Sequence, residues 1–552
     1  MPTAPDKPDS ASTTDSGGTH DPEHDSKDRQ KSKNGANHIF DHESRVRLDA
    51  EALLHATEAR LRRLWTRSSV RAEIAWHRTR RTIRHVPQHV PPPLRSMNVL
   101  IALGALLAAV AVVVATDPVL PRETALMAGI FAAAALLWAT EALPLFATGL
   151  LIIGLEIILL ANPGSWPGIG FTDGASPSYE VFLAPLADPI IVLFLGGFIM
   201  ARAAVKENVD RTLARLILGS FGTQPRQVMM GLMLITALFS MWMSNTAATA
   251  MMITLVMPMI ANVDTSDPLR VGLVLAVPFA ANIGGMSTPI SSPPNAVAVG
   301  FLNSAGYSIS FLEWMLVAVP LATGLLLLSW AVLYWMYPPR QDHVDMPTSD
   351  RELGLRGLFV LGVMGITIVL WCTDSLHGLP TAVVALLPVV AFTTTGVLTQ
   401  ADFDSLEWNI LFLIAGGIAL GVGMQQTGLD EVLIGVVPGR GPFVIGALAL
   451  ATVLISTLMS NTAAANLLVP VGVALATGSV GALSPVHVAV SIALAASVSM
   501  ALPVSTPPNA IAYASGVCDT KDFVQPGLLI GAVAVLLIVA LGGPIIAFWI
   551  PA

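Results

Sequence analysis

The chain has 552 residues, enough for three or four soluble domains, but its composition excludes that organisation. Hydrophobic residues make up 54% of the sequence, charged residues make up only 12%, and the mean hydropathy is +0.68. A soluble domain carries about 25% charged residues. We therefore expect an all-α polytopic membrane protein.

The charges are concentrated before residue 97. Residues 1–96 hold 17 of the 29 Lys and Arg residues and 13 of the 37 Asp and Glu residues, so a segment of about +4 precedes a body of about −12. Residues 1–42 are almost wholly polar and predict a disordered arm. Residues 43–96 place Leu and Trp among Arg and His at roughly helical spacing. An amphipathic cytoplasmic helix on the membrane surface fits this pattern, and so does a solvated basic helix.

The body is a series of apolar stretches, most of them near the 20 residues that cross the hydrocarbon core. We predict eleven crossings, at 98–116, 123–141, 143–161, 187–218, 271–290 with 296–306, 312–337, 356–373, 379–397, 407–426, 485–503 with 509–516, and 525–550. Two further segments, 227–261 and 441–477, are too long for one crossing and contain a polar interruption. They predict re-entrant hairpins. Lys and Arg are concentrated in alternate loops, which places the N terminus on the cytoplasmic side of the cell (inner) membrane.

Two polar motifs occur twice in the same order. Residues 240–248 read SMWMSNTAA and residues 456–464 read STLMSNTAA; residues 291–296 read SSPPNA and residues 505–510 read STPPNA. The predicted crossings between the copies are odd in number, so the copies have opposite orientations. We therefore predict two inverted repeats, 97–340 and 341–552, each with one hairpin. Inverted repeats with broken helices are typical of secondary transporters, whose site lies where the repeats meet.

The chemistry of the motifs follows from the helix breaks. A Pro-Pro pair removes two backbone donors and interrupts a helix, which leaves carbonyl groups without partners. Carbonyls together with Ser, Thr and Asn oxygens suit a hard monovalent cation, and the free amides at the starts of half-helices suit an anion. Hydrogen bonds between packed membrane helices are the alternative role for such residues. The doubled pattern favours a binding site.

At these residues the sequence resembles the divalent anion:sodium symporters, which include the sodium-coupled dicarboxylate, citrate and sulfate transporters. Residues 138–144 (WATEALP) and 194–198 (FLGGF) are similar to two further stretches of that family. The resemblance covers about residues 97–552. It implies a homodimer in a lipid bilayer, a scaffold domain with a mobile transport domain that works by an elevator mechanism, sodium as the coupling ion, no organic cofactor and no nucleic-acid partner.

The resemblance also implies a role for individual residues. One sodium site would be formed by Ser240, Ser244, Asn245 and the Ser291 carbonyl, and the other by Ser456, Asn461, the Ser505 carbonyl and Pro507. The substrate would be held by Asn245, Thr246, Ser292, Pro293, Asn461, Thr462, Thr506 and Pro507. Ser291 departs from the Gly expected at its position, which leaves a tight backbone approach there in doubt.

We therefore predict a secondary active transporter that couples sodium to a small divalent anion, with a C4-dicarboxylate such as succinate as the substrate. Two pseudosymmetric polar clusters suit a molecule with an anionic group at each end. Sodium-independent exchange, and symport of sulfate or citrate, remain alternatives on the same fold. A membrane-embedded enzyme is excluded, because the only histidines after residue 96 are His343, His377 and His487, all outside the motifs.

Overall fold

A computed structural model describes residues 92–161, 176–345, 353–436, 442–478 and 483–550. The regular elements in these ranges are helices, and the prediction of an all-α membrane protein is confirmed. The predicted arm and basic helix lie outside the described residues, except for their last few positions. There Pro92 begins the first helix, because the missing amide and fixed φ of Pro fit the first turn of a helix.

The described residues of the first half contain eleven α-helices and a short 3-10 turn at Ala184–Ala187. The helices are α1 (Pro92–Thr116), α2 (Arg122–Thr140), α3 (Leu145–Leu160), α4 (Tyr179–Leu183), α5 (Pro189–Lys206), α6 (Val209–Gly219), α7 (Pro225–Ser240), α8 (Asn245–Ala261), α9 (Leu269–Gly284), α10 (Pro293–Ser304) and α11 (Phe311–Met336).

The described residues of the second half contain another eleven. They are α12 (Leu355–Cys372), α13 (Asp374–His377), α14 (Thr381–Thr394), α15 (Gln400–Asp404), α16 (Trp408–Gln426), α17 (Leu429–Val436), α18 (Pro442–Leu458), α19 (Asn461–Gly478), α20 (Pro485–Ser497), α21 (Pro507–Ala514) and α22 (Thr520–Trp549).

Eight helical segments in the described part are long and apolar enough to cross a membrane. Seven of them coincide with predicted crossings, and the eighth is α19, which we predicted as one arm of a hairpin. The other four predicted crossings correspond to the shorter apolar helices α3, α9, α14 and α20. Two of those four, α9 and α20, are the broken crossings, and each is followed by a half-helix, α10 or α21.

One predicted crossing is wrong in its extent. Residues 187–218 form two helices, because α5 ends at Lys206 and α6 begins at Val209 after Asn208, which has φ 57°. The second repeat breaks at the same place, where Gly428 has φ 67° between α16 and α17. Left-handed backbone ends a helix, and Gly or Asn tolerates it. The break was not predicted because residues 187–218 are apolar on both sides of it.

The two polar motifs lie at helix breaks, as predicted. Residues 241–244 separate α7 from α8, and residues 459–460 separate α18 from α19. Residues 285–292 and 498–506 separate α9 from α10 and α20 from α21, and each half-helix begins with its Pro-Pro pair. The re-entrant course of the two helix pairs stays a prediction.

In each repeat, the helices around the motifs pack against the half-helix of the other repeat, and the two sets of contacts are equivalent. Helix α8 packs on α21 while its counterpart α19 packs on α10, and α9 packs on α21 while its counterpart α20 packs on α10. A third repeated feature supports this relation. The indole of buried Trp138 donates to the carbonyl of Leu145, the first residue of α3 (3.1 Å), and that of buried Trp371 donates to the carbonyl of Thr381, the first residue of α14 (3.0 Å).

We call α7–α10 and α18–α21 together the exchanged core. The helices next to it are joined by close backbone contacts. Helix α3 lies against α16 so closely that a β-carbon on Gly416 would overlap the Gly149 backbone. Helix α5 lies against α14, and a β-carbon on Gly196 would come within 2.8 Å of the Ala385 β-carbon. Small residues permit this approach, which is a common device of membrane helices.

Candidate ion and anion site

The first oxygen cluster lies where α7, α8 and α9 meet. The hydroxyl of Ser240, the last residue of α7, donates to Asn245 Oδ1 (2.6 Å) and to the Ala281 carbonyl (2.7 Å). Asn245 is the first residue of α8, so the break in the hairpin brings its carboxamide back over Ser240. Gly285 completes the fit, because any β-carbon there would overlap the Asn245 carboxamide. Ser240 has no exposed surface.

The second cluster has the same geometry in the other repeat. The Ser456 hydroxyl donates to Asn461 Oδ1 (2.7 Å) and to the Ala496 carbonyl (3.2 Å). The structure therefore brings together the predicted pairs Ser240 with Asn245 and Ser456 with Asn461. It adds one carbonyl to each, Ala281 and Ala496, that the sequence did not indicate. Those carbonyls lie 40 or more residues away and belong to residues without polar side chains.

Each cluster fits a small monovalent cation. Three neutral oxygens converge, and a single hydroxyl hydrogen is available between them. A sodium ion would bind the lone pairs of all three oxygens at once. The donor set contains no sulfur and no imidazole, so it favours a hard cation over a transition metal.

Two asparagines that we had not assigned hold the loops of the broken helices. Asn295 Nδ2 donates to the carbonyls of Gly285 (3.0 Å) and Thr288 (2.8 Å), and Asn509 Nδ2 donates to those of Met500 and Leu502 (both 2.9 Å). Both side chains are completely buried. The repeated Pro-Pro-Asn sequence contained this signal, since a break that exposes carbonyls requires a nearby donor.

The serines before the Pro-Pro pairs are also bound to the loops. The Ser291 hydroxyl donates to the carbonyls of Gly285 (2.6 Å) and Thr288 (2.8 Å), and the Ser505 hydroxyl donates to the Thr457 carbonyl (3.1 Å). The loop thus accommodates the side chain at 291, where we had expected Gly. The roles of the Ser291 and Ser505 carbonyls as sodium ligands stay predictions.

Four helix starts carry the residues predicted to hold the substrate. Asn245 and Asn461 are the first residues of α8 and α19. Ser292 and Thr506 precede α10 and α21, whose first residues, Pro293 and Pro507, are half-buried and exposed. The first amides of α8 and α19 lack partners within the helix and attract an anion. Helices α10 and α21 begin with Pro-Pro pairs that have no amide hydrogen, so the donors at those starts are the hydroxyls of Ser292 and Thr506. Thr246 and Thr462, the second residues of α8 and α19, add hydroxyls at two of these starts.

Ser244 has different partners from the other serines of the motif. Its hydroxyl caps α8 by accepting from the Ala247 amide (3.3 Å), and it lies within hydrogen-bonding reach of the Glu407 carboxyl. Glu407 directly precedes α16 and is half-buried. Sequence analysis missed this acid, because it lies at the end of an apolar stretch like many solvated residues. This contact links the first hairpin to the start of α16.

A charge network joins α5 to the short helix α15. Asp402 accepts from Arg202 (2.7 Å) and Lys206 (2.6 Å), and its side chain is only 8% exposed. Burial acts to raise the pKa of this carboxyl, but hydrogen bonds from Lys206, Thr399 and Arg202 outweigh burial and hold the pKa well below its usual range. Asp402 is therefore ionised at neutral pH and fixes the C-terminal end of α5.

Comparison with known proteins identifies the kind of molecule that carries this site. The family described as "Sodium:sulfate symporter transmembrane region" matches residues 96–551. The sodium-dependent dicarboxylate transporter SdcS of Staphylococcus saprophyticus is 31% identical over 445 residues, which cover 73% of this chain and 82% of that protein. The inorganic phosphate transporter PHO87 of Saccharomyces cerevisiae is 31% identical over 364 residues, 64% of this chain and 38% of that protein.

The coverage and the fold comparison set limits on what these matches show. The chain spans about half the length, or less, of the relatives it matches in Schizosaccharomyces pombe and Saccharomyces cerevisiae. The crystal structure of the YdaH transporter of Alcanivorax borkumensis has a TM-score of 0.50, with 14% identity, and the match covers 75% of this chain and 98% of that chain. At that identity the likeness concerns the fold alone.

Proposed function

Because the chain belongs to the sodium:sulfate symporter family, and is thus a membrane transporter and not an enzyme, we propose that it moves a small divalent anion together with sodium. We infer that the substrate is a C4-dicarboxylate such as succinate. The proposed location is the cell inner membrane with the N terminus in the cytoplasm.

The observation that carries the proposal is the doubled oxygen cluster. Ser240 with Asn245 and Ser456 with Asn461 repeat one geometry in two halves of the chain, to within a few tenths of an ångström in the bond between each pair. Packing alone requires no such repetition of a three-oxygen arrangement. Two equivalent clusters support two sodium ions, one in each repeat.

The helix starts support an anion with two charged ends. The motifs contribute neutral hydroxyls, carboxamides and amides, and no Lys or Arg. Such donors hold a carboxylate without the cost of burying a counter-ion. The match to a sodium-dependent dicarboxylate transporter over 82% of its length favours a dicarboxylate over phosphate, since the phosphate transporter is matched over only 38% of its length.

We assign the residues as follows. Asn245, Thr246, Ser292, Pro293, Asn461, Thr462, Thr506 and Pro507 line the substrate site; Ser240, Ser244, Asn245 and Ser291 bind one sodium ion, and Ser456, Asn461, Ser505 and Pro507 bind the other. The protein works as a homodimer, and the exchanged core of α7–α10 and α18–α21 moves against the rest as an elevator.

The test is transport by the purified protein in proteoliposomes. Labelled succinate, sulfate and phosphate are offered with an inward sodium gradient, with equal sodium on both sides, and with potassium in its place. We expect succinate uptake that requires the sodium gradient, and its loss in Asn245→Ala and Asn461→Ala. Asn303→Ala, an exposed residue of α10, is the matched control and should transport like the parent. Gradient-independent exchange, or uptake of sulfate or phosphate alone, would overturn the proposal.

A further inference from the structure

The two repeats differ at a polar position on α9 and its counterpart α20. The Ser240 hydroxyl donates to the Ala281 carbonyl and the Ser456 hydroxyl donates to that of Ala496, which fixes the alignment of α9 with α20. The next residues are therefore equivalent, and they are Asn282 in the first repeat and Ser497 in the second. Both are 1% exposed.

Asn282 links its own repeat to the other one. Its Nδ2 group donates to Thr506 Oγ1 and to Asn509 Oδ1, both at 3.2 Å, across the contact between α9 and α21. Thr506 precedes α21 and Asn509 holds the loop before it. One carboxamide thus fixes the hydroxyl at a helix start and the side chain that shapes the break.

These bonds determine the direction of the Thr506 hydroxyl hydrogen. Thr506 Oγ1 accepts from the Asn509 amide (3.3 Å) and from Asn282, so both of its lone pairs are engaged. The hydroxyl hydrogen is therefore the only hydrogen-bonding group of Thr506 Oγ1 that is still available. It is free to donate to a ligand at the start of α21, where Pro507 and Pro508 have no amide hydrogen and the hydroxyl is therefore the donor on offer.

The start of α10 lacks this arrangement, because the second repeat has no equivalent of Asn282 to reach it. Ser497 is too short to reach across and donates instead to the Ala493 carbonyl of its own helix (3.2 Å). Ser292, the counterpart of Thr506, makes no capping bond to α10. Asn295, the counterpart of Asn509, has a buried Oδ1 for which no described residue is a partner. The hydroxyl at the start of α10 is therefore not held in one orientation.

We propose that Asn282 is a positioning residue that makes the two ends of the anion site unequal. Acting through Thr506, it presents an oriented donor to one carboxylate of the substrate, while the Ser292 end adapts to whatever group the other end of the substrate carries. This inference rests on the proposed function. It makes the α21 end the anchor for an anionic group and the α10 end the tolerant one.

The test is a double-mutant cycle on succinate uptake. Asn282→Ser, which copies the second repeat, should raise the KM about tenfold, the usual effect of one lost hydrogen bond to a charged group, and leave the maximal rate and the sodium activation unchanged. In a Thr506→Val background the same substitution should change the KM by less than about twofold, because the hydroxyl it acts through is absent. Thr506→Ser keeps the hydroxyl and should retain the full effect of Asn282→Ser.

The outcome separates this inference from the proposed function. An equal rise in KM in both backgrounds, or a lower maximal rate with unchanged KM, would show that Asn282 is merely structural and would overturn the inference alone. If uptake of the double variants is too low to measure, the thermal shift of the purified protein with succinate gives the same cycle. A parent protein that neither transports nor is stabilised by any of the three anions overturns both proposals.

Discussion

Asn509→Ala should destabilise the protein more than the equivalent change in the other repeat. Asn509 donates to the Met500 and Leu502 carbonyls and accepts from Asn282. Its removal leaves the buried Met500 carbonyl without a donor, at a cost of about 1–3 kcal/mol, and removes two further hydrogen bonds worth about 1 kcal/mol each. The Leu502 carbonyl keeps the Ser505 amide (3.2 Å) as a second donor. We expect a loss of about 3–5 kcal/mol.

The same change at Asn295 should be milder. The Gly285 carbonyl also accepts from the Ser291 hydroxyl (2.6 Å) and the Thr288 carbonyl from the Ser291 amide (3.4 Å), so neither is left without a donor. Two lost bonds then cost about 2 kcal/mol. Unfolding of the purified protein in detergent, followed by tryptophan fluorescence, measures both variants, with Asn303→Ala as the exposed control. Equal losses for Asn509→Ala and Asn295→Ala, or a larger loss for Asn295→Ala, would refute this reasoning.

The remaining predictions concern the two ion clusters and the charge network. Ser240→Ala and Ser456→Ala each remove one oxygen from one cluster and should raise the sodium concentration for half-maximal uptake about 5- to 30-fold; unchanged sodium curves would contradict the cluster assignments. Asn245→Asp and Asn461→Asp place a negative charge beside the bound anion and should each abolish anion uptake, while sodium still raises the melting temperature of the purified protein; uptake near the parent rate would exclude a ligand shared by cation and anion. Because the pKa of Asp402 is lower in the folded protein than in the unfolded chain, its ion pairs stabilise the fold above about pH 4 and lose that effect as the pH falls further. Asp402→Asn should therefore melt below the parent at pH 7, and the two melting temperatures should converge in acid; a constant difference down to pH 2 would show another cause.

Hydropathy and motif repetition were sufficient to predict the spans and the four breaks. The apolar stretches have lengths that the bilayer dictates, and the Pro-Pro pairs interrupt helices wherever they occur. The break at Asn208 was missed because one left-handed residue hardly changes the mean hydropathy of a 32-residue stretch.

The partners of the motif residues could not be predicted in the same way. Ser240 and Asn245 were recognisable as polar residues in an apolar segment, but the Ala281 carbonyl carries no side-chain signal. Asn282 lies in an ordinary apolar helix, and its role depends on residues more than 200 positions away. Such contacts follow from how the two repeats pack, which no local pattern contains.

The close backbone contacts around the exchanged core also have a consequence for the membrane itself. Helices α3 and α14 have 16 and 14 residues, so they are about 24 and 21 Å long, less than the roughly 30 Å of a typical hydrocarbon core. Glycine contacts hold each of them against a longer partner, α16 or α5. A span shorter than the hydrocarbon core is accommodated by local thinning of the bilayer or by flanking residues that reach the interface, each at a cost of a fraction of a kcal/mol per ångström of mismatch. Bilayers of shorter acyl chains should relieve this deformation, so lipid chain length becomes a means of tuning the stability of the protein.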